Sequence, residues 1–156
     1  MSDTGLSATQ QEIVKELSIA YWMEIETVMN YIANSNNLDG VRAQEIKSSL
    51  LEDVPAELNH AQVLAKRIKT IGGVVPGSME FQAGQGALQP PEKLTDVVAV
   101  IKGVIEAEKS AIAQYKKLIK LCDGEDFVTQ DMCIEALGDE EEHLSEFVGF
   151  LREYEG

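Results

Sequence analysis

Four stretches of this chain carry an apolar stripe at helical spacing, and each stripe is interrupted near its middle by a glutamate. At about 100° per residue, the first stripe reads Leu17, Ala20, Glu24, Val28, Tyr31 and the second Leu50, Asp53, Glu57, His60, Leu64. The third reads Ile101, Val104, Glu108, Ala111, Tyr115, and the fourth Cys133, Ala136, Glu140, His143, Phe147. An ionised carboxylate in a helical core is costly unless it is paired or binds a metal. Four such interruptions ask for one common partner, and so for a fold that brings the four positions together.

The stripes predict helices at about 7–35, 41–71, 92–122 and 127–153. Ser7 or Thr9 could cap the first, and the Asn- and Gly-rich run from Asn34 to Gly40 ends it. Pro55 lies inside the second, where its missing N–H could bend the helix. Gly72 and Gly73 end that helix, and residues 74–91 follow neither a helical nor a strand period. They read as a long ordered crossover that runs over the domain surface or supports an interface. Two hairpins joined by one long connection make an all-α four-helix bundle, and 156 residues suit a single domain over 1–156.

The levels of the glutamates agree with that topology. Glu24 and Glu57 flank the Asn36–Gly40 turn symmetrically, and Glu108 and Glu140 flank Gly124. Each lies roughly 24 Å from its turn at 1.5 Å of rise per residue. Both histidines of the chain, His60 and His143, follow a seam glutamate by three residues and share its helical face. Two glutamates plus two ExxH pairs form the donor set of dinuclear iron or manganese carboxylate bundles, and oxygen and imidazole donors suit Fe or Mn better than a soft cation. Glu24, Glu57 and His60 would hold one metal and Glu108, Glu140 and His143 the other, with Glu57 and Glu140 able to bridge.

Other readings stand beside this one. The run DEEEH at 139–143 could be only a solvated acidic face. Glu26 and Glu106 are nearby substitutes for Glu24 and Glu108, but a rotation of about 200° turns them toward solvent. Asp53, one turn before Glu57, reads as a pore-side acid or a hydrogen-bond partner of a ligand. Tyr31 and Tyr115 point inward, where either could hydrogen-bond a ligand or carry an electron. Cys122 and Cys133 read as small core residues at different levels, with no direct disulfide expected.

Composition narrows the partners. Acidic residues number 27 against 13 Lys plus Arg, a net charge of −14 that repels phosphate backbones and concentrates cations. Nucleic acid is therefore not an expected ligand, nor is a membrane, since no stripe is continuously apolar. The start MSDTGLSATQQE lacks the features of a secretion signal, so the cytoplasm is the expected location.

On these residues the chain resembles the ferritin-like superfamily, in particular its bacterioferritin-like branch. The matching pieces are Glu24 with Tyr31, ELNHA at 57–61, Glu108, and DFVTQDMCIEALGDEEEHLSEF at 126–147. The resemblance implies ferroxidase ligands at Glu24, Glu57, His60, Glu108, Glu140 and His143. Bacterioferritins bind haem through a methionine directly after the second-helix glutamate, and Leu58 stands there, so no haem is expected. Only 13 residues follow His143, too few for the fifth helix of 24-subunit shells. The implied protein is a Dps-like mini-ferritin of the thioferritin type, a homo-oligomer of twelve subunits. It would hold two Fe ions per subunit, with Mn or Zn as possible occupants, oxidise Fe(II) with O2 or H2O2, and store the ferric product as mineral. The competing expectations are a non-storage peroxidase or catalase of rubrerythrin or manganese-catalase type, and a bundle with no metal chemistry.

Overall fold

A computed structural model describes residues 5–155. Helix α1 spans Ala8–Asn37, α2 Gln44–Thr70, α3 Val97–Cys122 and α4 Phe127–Glu155. Short connections make α1 pack along α2 and α3 along α4, and α1 also lies against α3. The 71–96 crossover joins the hairpins, with single 3-10 turns at Ser78–Glu80 and Gly86–Leu88. Among the described residues no helix follows α4, and none is long and apolar enough to cross a membrane.

Local chemistry sets the helix ends. Ser7 forms a capping box, its Oγ accepting from the Gln10 N–H at 3.1 Å while the Gln10 Oε1 accepts from the Ser7 N–H at 2.8 Å. Helix α2 continues through Pro55. The carbonyl that loses its partner belongs to Leu51, on the exposed side where water can replace it. Gly124 turns α3 into α4 with φ at +73°, a left-handed conformation that glycine adopts without strain.

Two boundaries differ from the sequence reading. Helix α3 starts at Val97 rather than near Glu92. The Asp39 N–H donates to the Leu94 carbonyl at 2.8 Å and holds that stretch outside the helix, and Asp96 then caps the Ala99 N–H at 3.1 Å. Helix α4 extends to Glu155 because the Tyr154 hydroxyl donates to the Arg42 carbonyl and the Arg42 guanidinium stacks 4.9 Å above the Tyr154 ring.

The apolar core comes in two pieces. One surrounds Tyr31, Leu50, Ile101, Val104 and Phe147; the other surrounds Leu17, Leu64, Tyr115, Leu118, Cys122 and Cys133. A polar layer at midheight separates them.

The crossover changes what is buried on α1. In the second half of that helix the apolar Ile32 is 45% exposed, while the polar Thr27, Asn30 and Asn34 are buried. Asn34 Nδ2 donates to the Leu88 carbonyl at 2.9 Å, and Asn30 Nδ2 donates to Gln85 Oε1 at 3.0 Å. These polar side chains satisfy a connection that has no ladder of its own. Against α3 the fit is tighter still, since a Cβ on Gly103 would sit 2.3 Å from the Ala87 carbonyl oxygen. Gly103→Ala is expected to push the crossover off α3 and cost about 1–3 kcal/mol, read as a lower urea midpoint. An unchanged midpoint would mean that the crossover is loosely attached.

Candidate metal centre

The midheight layer is built by one residue pair or single residue from each helix. Glu24 from α1, Glu57 and His60 from α2, Glu108 from α3, and Glu140 and His143 from α4 all face the bundle axis. The four glutamates are at most 2% exposed. Ligand-type atoms of Glu24, Glu57, His60 and Glu140 lie within 4.8 Å of one another, as do those of Glu57, Glu108, Glu140 and His143. Glu57 and Glu140 belong to both groups, one oxygen toward each histidine. Glu57 Oε1 is 3.0 Å from His143 Nδ1 and its Oε2 is 3.7 Å from His60 Nδ1. Glu140 Oε1 is 3.2 Å from His60 Nδ1 and its Oε2 is 3.9 Å from His143 Nδ1.

Several of these atoms lack hydrogen-bond partners. Glu24 Oε2, Glu57 Oε1, His60 Nδ1, Glu108 Oε2, Glu140 Oε1 and His143 Nδ1 are buried and unpartnered, close to one another without hydrogen-bond alignment. Each of the six side chains thus has one buried atom of ligand type whose hydrogen-bonding capacity is unmet. Orphaned buried acceptors are normally avoided; converging on one space, they fit a pair of cations. Four carboxylates also balance two divalent ions with both imidazoles neutral.

The surroundings orient these groups. Tyr31 on α1 donates its hydroxyl proton to Glu108 Oε1 at 2.9 Å, and Tyr115 on α3 donates to Glu24 Oε1 at 2.7 Å, so each tyrosine crosses to the other hairpin. Burial pushes both phenols well above their usual range and keeps them as donors. His60 Nε2 is 2.9 Å from Asp139 Oδ2, and His143 Nε2 is 3.9 Å from Asp53 Oδ1. Asp53 therefore lies beside the histidine of the opposite hairpin. Asp139 was not singled out in the sequence, where it is one more acid in DEEEH and no spacing rule marks it.

Burial dominates the electrostatics. It pushes Glu24 up to about 8 and Glu140 up to about 12, aided by Glu57 and Glu108 respectively, and it also raises Glu108. Burial favours a neutral Glu57 too, but Glu24, His143 and His60 outweigh it and hold that carboxyl well below its ordinary range. For His60, burial opposes the charge and is overcome by Glu140, Glu24 and Glu57, which hold the imidazole protonated. Glu57 is the main cause for His143, which rises to about 9. Burial lifts Asp53 to about 6. With only its own groups to balance four buried carboxylates, the cluster retains protons, and cations would displace them.

Two sequence expectations need correction or completion. Glu26 does not face solvent: the crossover covers it, and its carboxylate accepts from the Gly84 N–H at 2.9 Å and the Gln85 N–H at 2.9 Å. Glu106 is exposed, as its rotation predicted. Cys122 and Cys133 are both free and buried in the same core cluster. Burial raises their thiols to about 11 and about 12, leaving them protonated.

Fold and centre together define a ferritin-like bundle with a buried di-metal site. The Ferritin family, described as a ferritin-like domain, matches residues 14–156, and the chain belongs to it. It is similar to the DNA protection during starvation protein of Pyrococcus furiosus, 28% identical over 95% of this chain and 80% of that one. Similarity to the bacterioferritin of Desulfovibrio desulfuricans is 23% over 86% of this chain and 71% of that one. Among solved structures, a ferritin-like, diiron-carboxylate protein from Bacillus anthracis str. Ames superposes with a TM-score of 0.82 at 20% identity, covering 94% of this chain and 99% of that one. A dodecameric thioferritin, the bacterioferritin-related protein of Bacteroides fragilis, superposes with a TM-score of 0.80 at 21% identity, covering 93% and 87%. At such identities the superpositions speak for the fold alone.

Proposed function

We propose that this protein is a ferroxidase that stores iron. The observation that carries the reading is the pair of overlapping ligand groups sharing Glu57 and Glu140. Glu24 with His60 and Glu108 with His143 would hold one Fe(II) each, and Glu57 and Glu140 would span the two. The substrate pair supplies two electrons, which reduce O2 to H2O2 or H2O2 to two waters with uptake of two protons, and the Fe(III) formed is deposited as mineral. The protein's part is to bind, space and orient. Tyr31 and Tyr115 fix the terminal carboxylates by their hydroxyl protons, and the enclosing apolar clusters limit water access. The donor set supports iron over a soft cation, and Mn or Zn would meet the same ligands.

The same proposal extends to assembly and location. Exposed Met29, Leu51, Val74 and Met79 on α1, α2 and the crossover offer apolar surface for contact between copies. Twelve subunits, the assembly named for the Bacteroides fragilis protein that shares this fold, is the state proposed here. Leu58 supplies no thioether, which favours a protein without haem. The net charge of −14 disfavours duplex DNA, and two free buried cysteines suit a reducing cytoplasm.

The test is aerobic addition of Fe(II) to metal-depleted protein. About two Fe(II) per subunit should oxidise rapidly before slower growth of a retained ferric core, with light scattering giving the mass of twelve chains. Rapid oxidation without retained iron would move the reading to a non-storage peroxidase or catalase, and no rapid phase would reject a ferroxidase.

A further inference from the structure

The two halves of the centre are related by a near-symmetric exchange of hairpins, but their outer contacts differ. His60 Nε2 lies at hydrogen-bond distance from Asp139 Oδ2, 2.9 Å away. His143 Nε2 lies 3.9 Å from Asp53 Oδ1, beyond hydrogen-bond range. Both rings turn Nδ1 toward the glutamates. For His60, an Nε2–H donated to a carboxylate leaves the Nδ1 lone pair free to bind a cation and fixes the ring plane.

Beside His60, between α2 and α4, is a cavity of about 110 Å³ bordered by Asn59, Val63, Met132, Glu135 and Asp139. Beside that cavity, Asp139 is the hydrogen-bond partner that fixes the Nε2 side of the ring. Asp139 itself is half exposed, with 51% of its side chain accessible, so its truncation should cost the core little.

From this asymmetry we infer that Asp139 is a positioning residue for His60, and that it makes the Glu24–His60 half of the centre the one that binds its cation first and more tightly. The inference rests on the di-metal reading above. It concerns the order of filling, which two equivalent half-sites would not have.

The experiment titrates metal-depleted protein with Co(II) and follows the visible absorption of the bound ion. The wild type should fill in two resolved steps. Asp139→Ala should weaken the tighter step about 10- to 100-fold, the range for loss of an outer partner of a ligating histidine, and leave the weaker step nearly unchanged. Asp139→Asn keeps an acceptor without charge and should restore part of the loss. Asp53→Ala should leave the tighter step in place. Crystals exposed to one equivalent of Co(II) should carry anomalous density chiefly beside His60. A single binding constant in the wild type, an unaltered tighter step in Asp139→Ala, or first occupancy beside His143 would overturn the inference while leaving a di-metal site intact. Failure of the wild type to bind Co(II) at all would overturn both. An unfolding temperature for Asp139→Ala matching the wild type separates lost positioning from lost structure.

Discussion

Glu57→Ala is expected to abolish the rapid phase of Fe(II) oxidation while leaving a folded helical protein. Glu57 reaches toward both histidines, at 3.0 Å from His143 Nδ1 and 3.7 Å from His60 Nδ1, so one truncation removes an oxygen from each half of the centre. The rate should fall by more than about 100-fold, beyond the effect of removing an outer hydrogen-bond partner. Helical structure should persist because the apolar clusters on either side of the polar layer are untouched, although the apo protein loses the stability that the ionised Glu57 and its two histidines contribute. Stopped-flow absorbance and circular dichroism check the two halves of the expectation. A persistent rapid phase would remove Glu57 from the ligand set.

Metal removal should produce the second large effect, with a defined dependence on pH. Two ions present at about 1,000 times their dissociation constants would stabilise the fold by about 4 kcal/mol each. At about 2–4 °C per kcal/mol for a chain of this size, chelation should lower the unfolding temperature by upwards of about 15 °C. The chelated protein should then lose further stability as pH rises from about 6.5 to 8.

The sign follows from the buried groups. Glu24, raised from 4.5 to about 8, keeps a proton that the unfolded chain has already released, so its contribution declines as pH climbs between those values. His143, raised from 6.5 to about 9, contributes fully below 6.5 and loses that contribution as pH rises toward 9. His60 is shifted in the same direction. Glu57, held low, contributes above the ordinary carboxylate range and stays constant through this window. Loading with metal should reverse the trend, because cations compete with the same protons and bind better as pH rises. Scanning calorimetry on both forms from pH 6.5 to 8 would detect it, and a chelated protein that gains stability over that range would contradict the assignment of these protons.

The six inward groups were legible in the sequence because their signals are local. A helix repeats every 3.6 residues whatever surrounds it, so an acid in an apolar stripe reveals its face, and its distance from a turn reveals its level. The same period placed Tyr31 and Tyr115 inward, one at each edge of the polar layer, although only packing showed that each bonds the glutamate of the other hairpin. What lies over a helix is not local. Glu26, Asn30 and Asn34 looked solvent-facing or unremarkable until the crossover covered them and met their hydrogen bonds. The start of α3 likewise depended on Asp39, more than fifty residues earlier in the chain, holding Leu94 out of the helix.

The outer carboxylates mark the same division more finely. Asp53 and Asp139 were both visible as acids near ExxH pairs, and their sequence positions carry no hint that one reaches hydrogen-bond distance while the other stops 1 Å short. That ångström is set by how α2 and α4 pack across the bundle, where interhelical spacing follows the side chains at the contact. The chain's order of residues determined which groups face the axis and at what height. The tertiary structure alone decided which of them touch, because contact between helices depends on distances that a helical period does not contain.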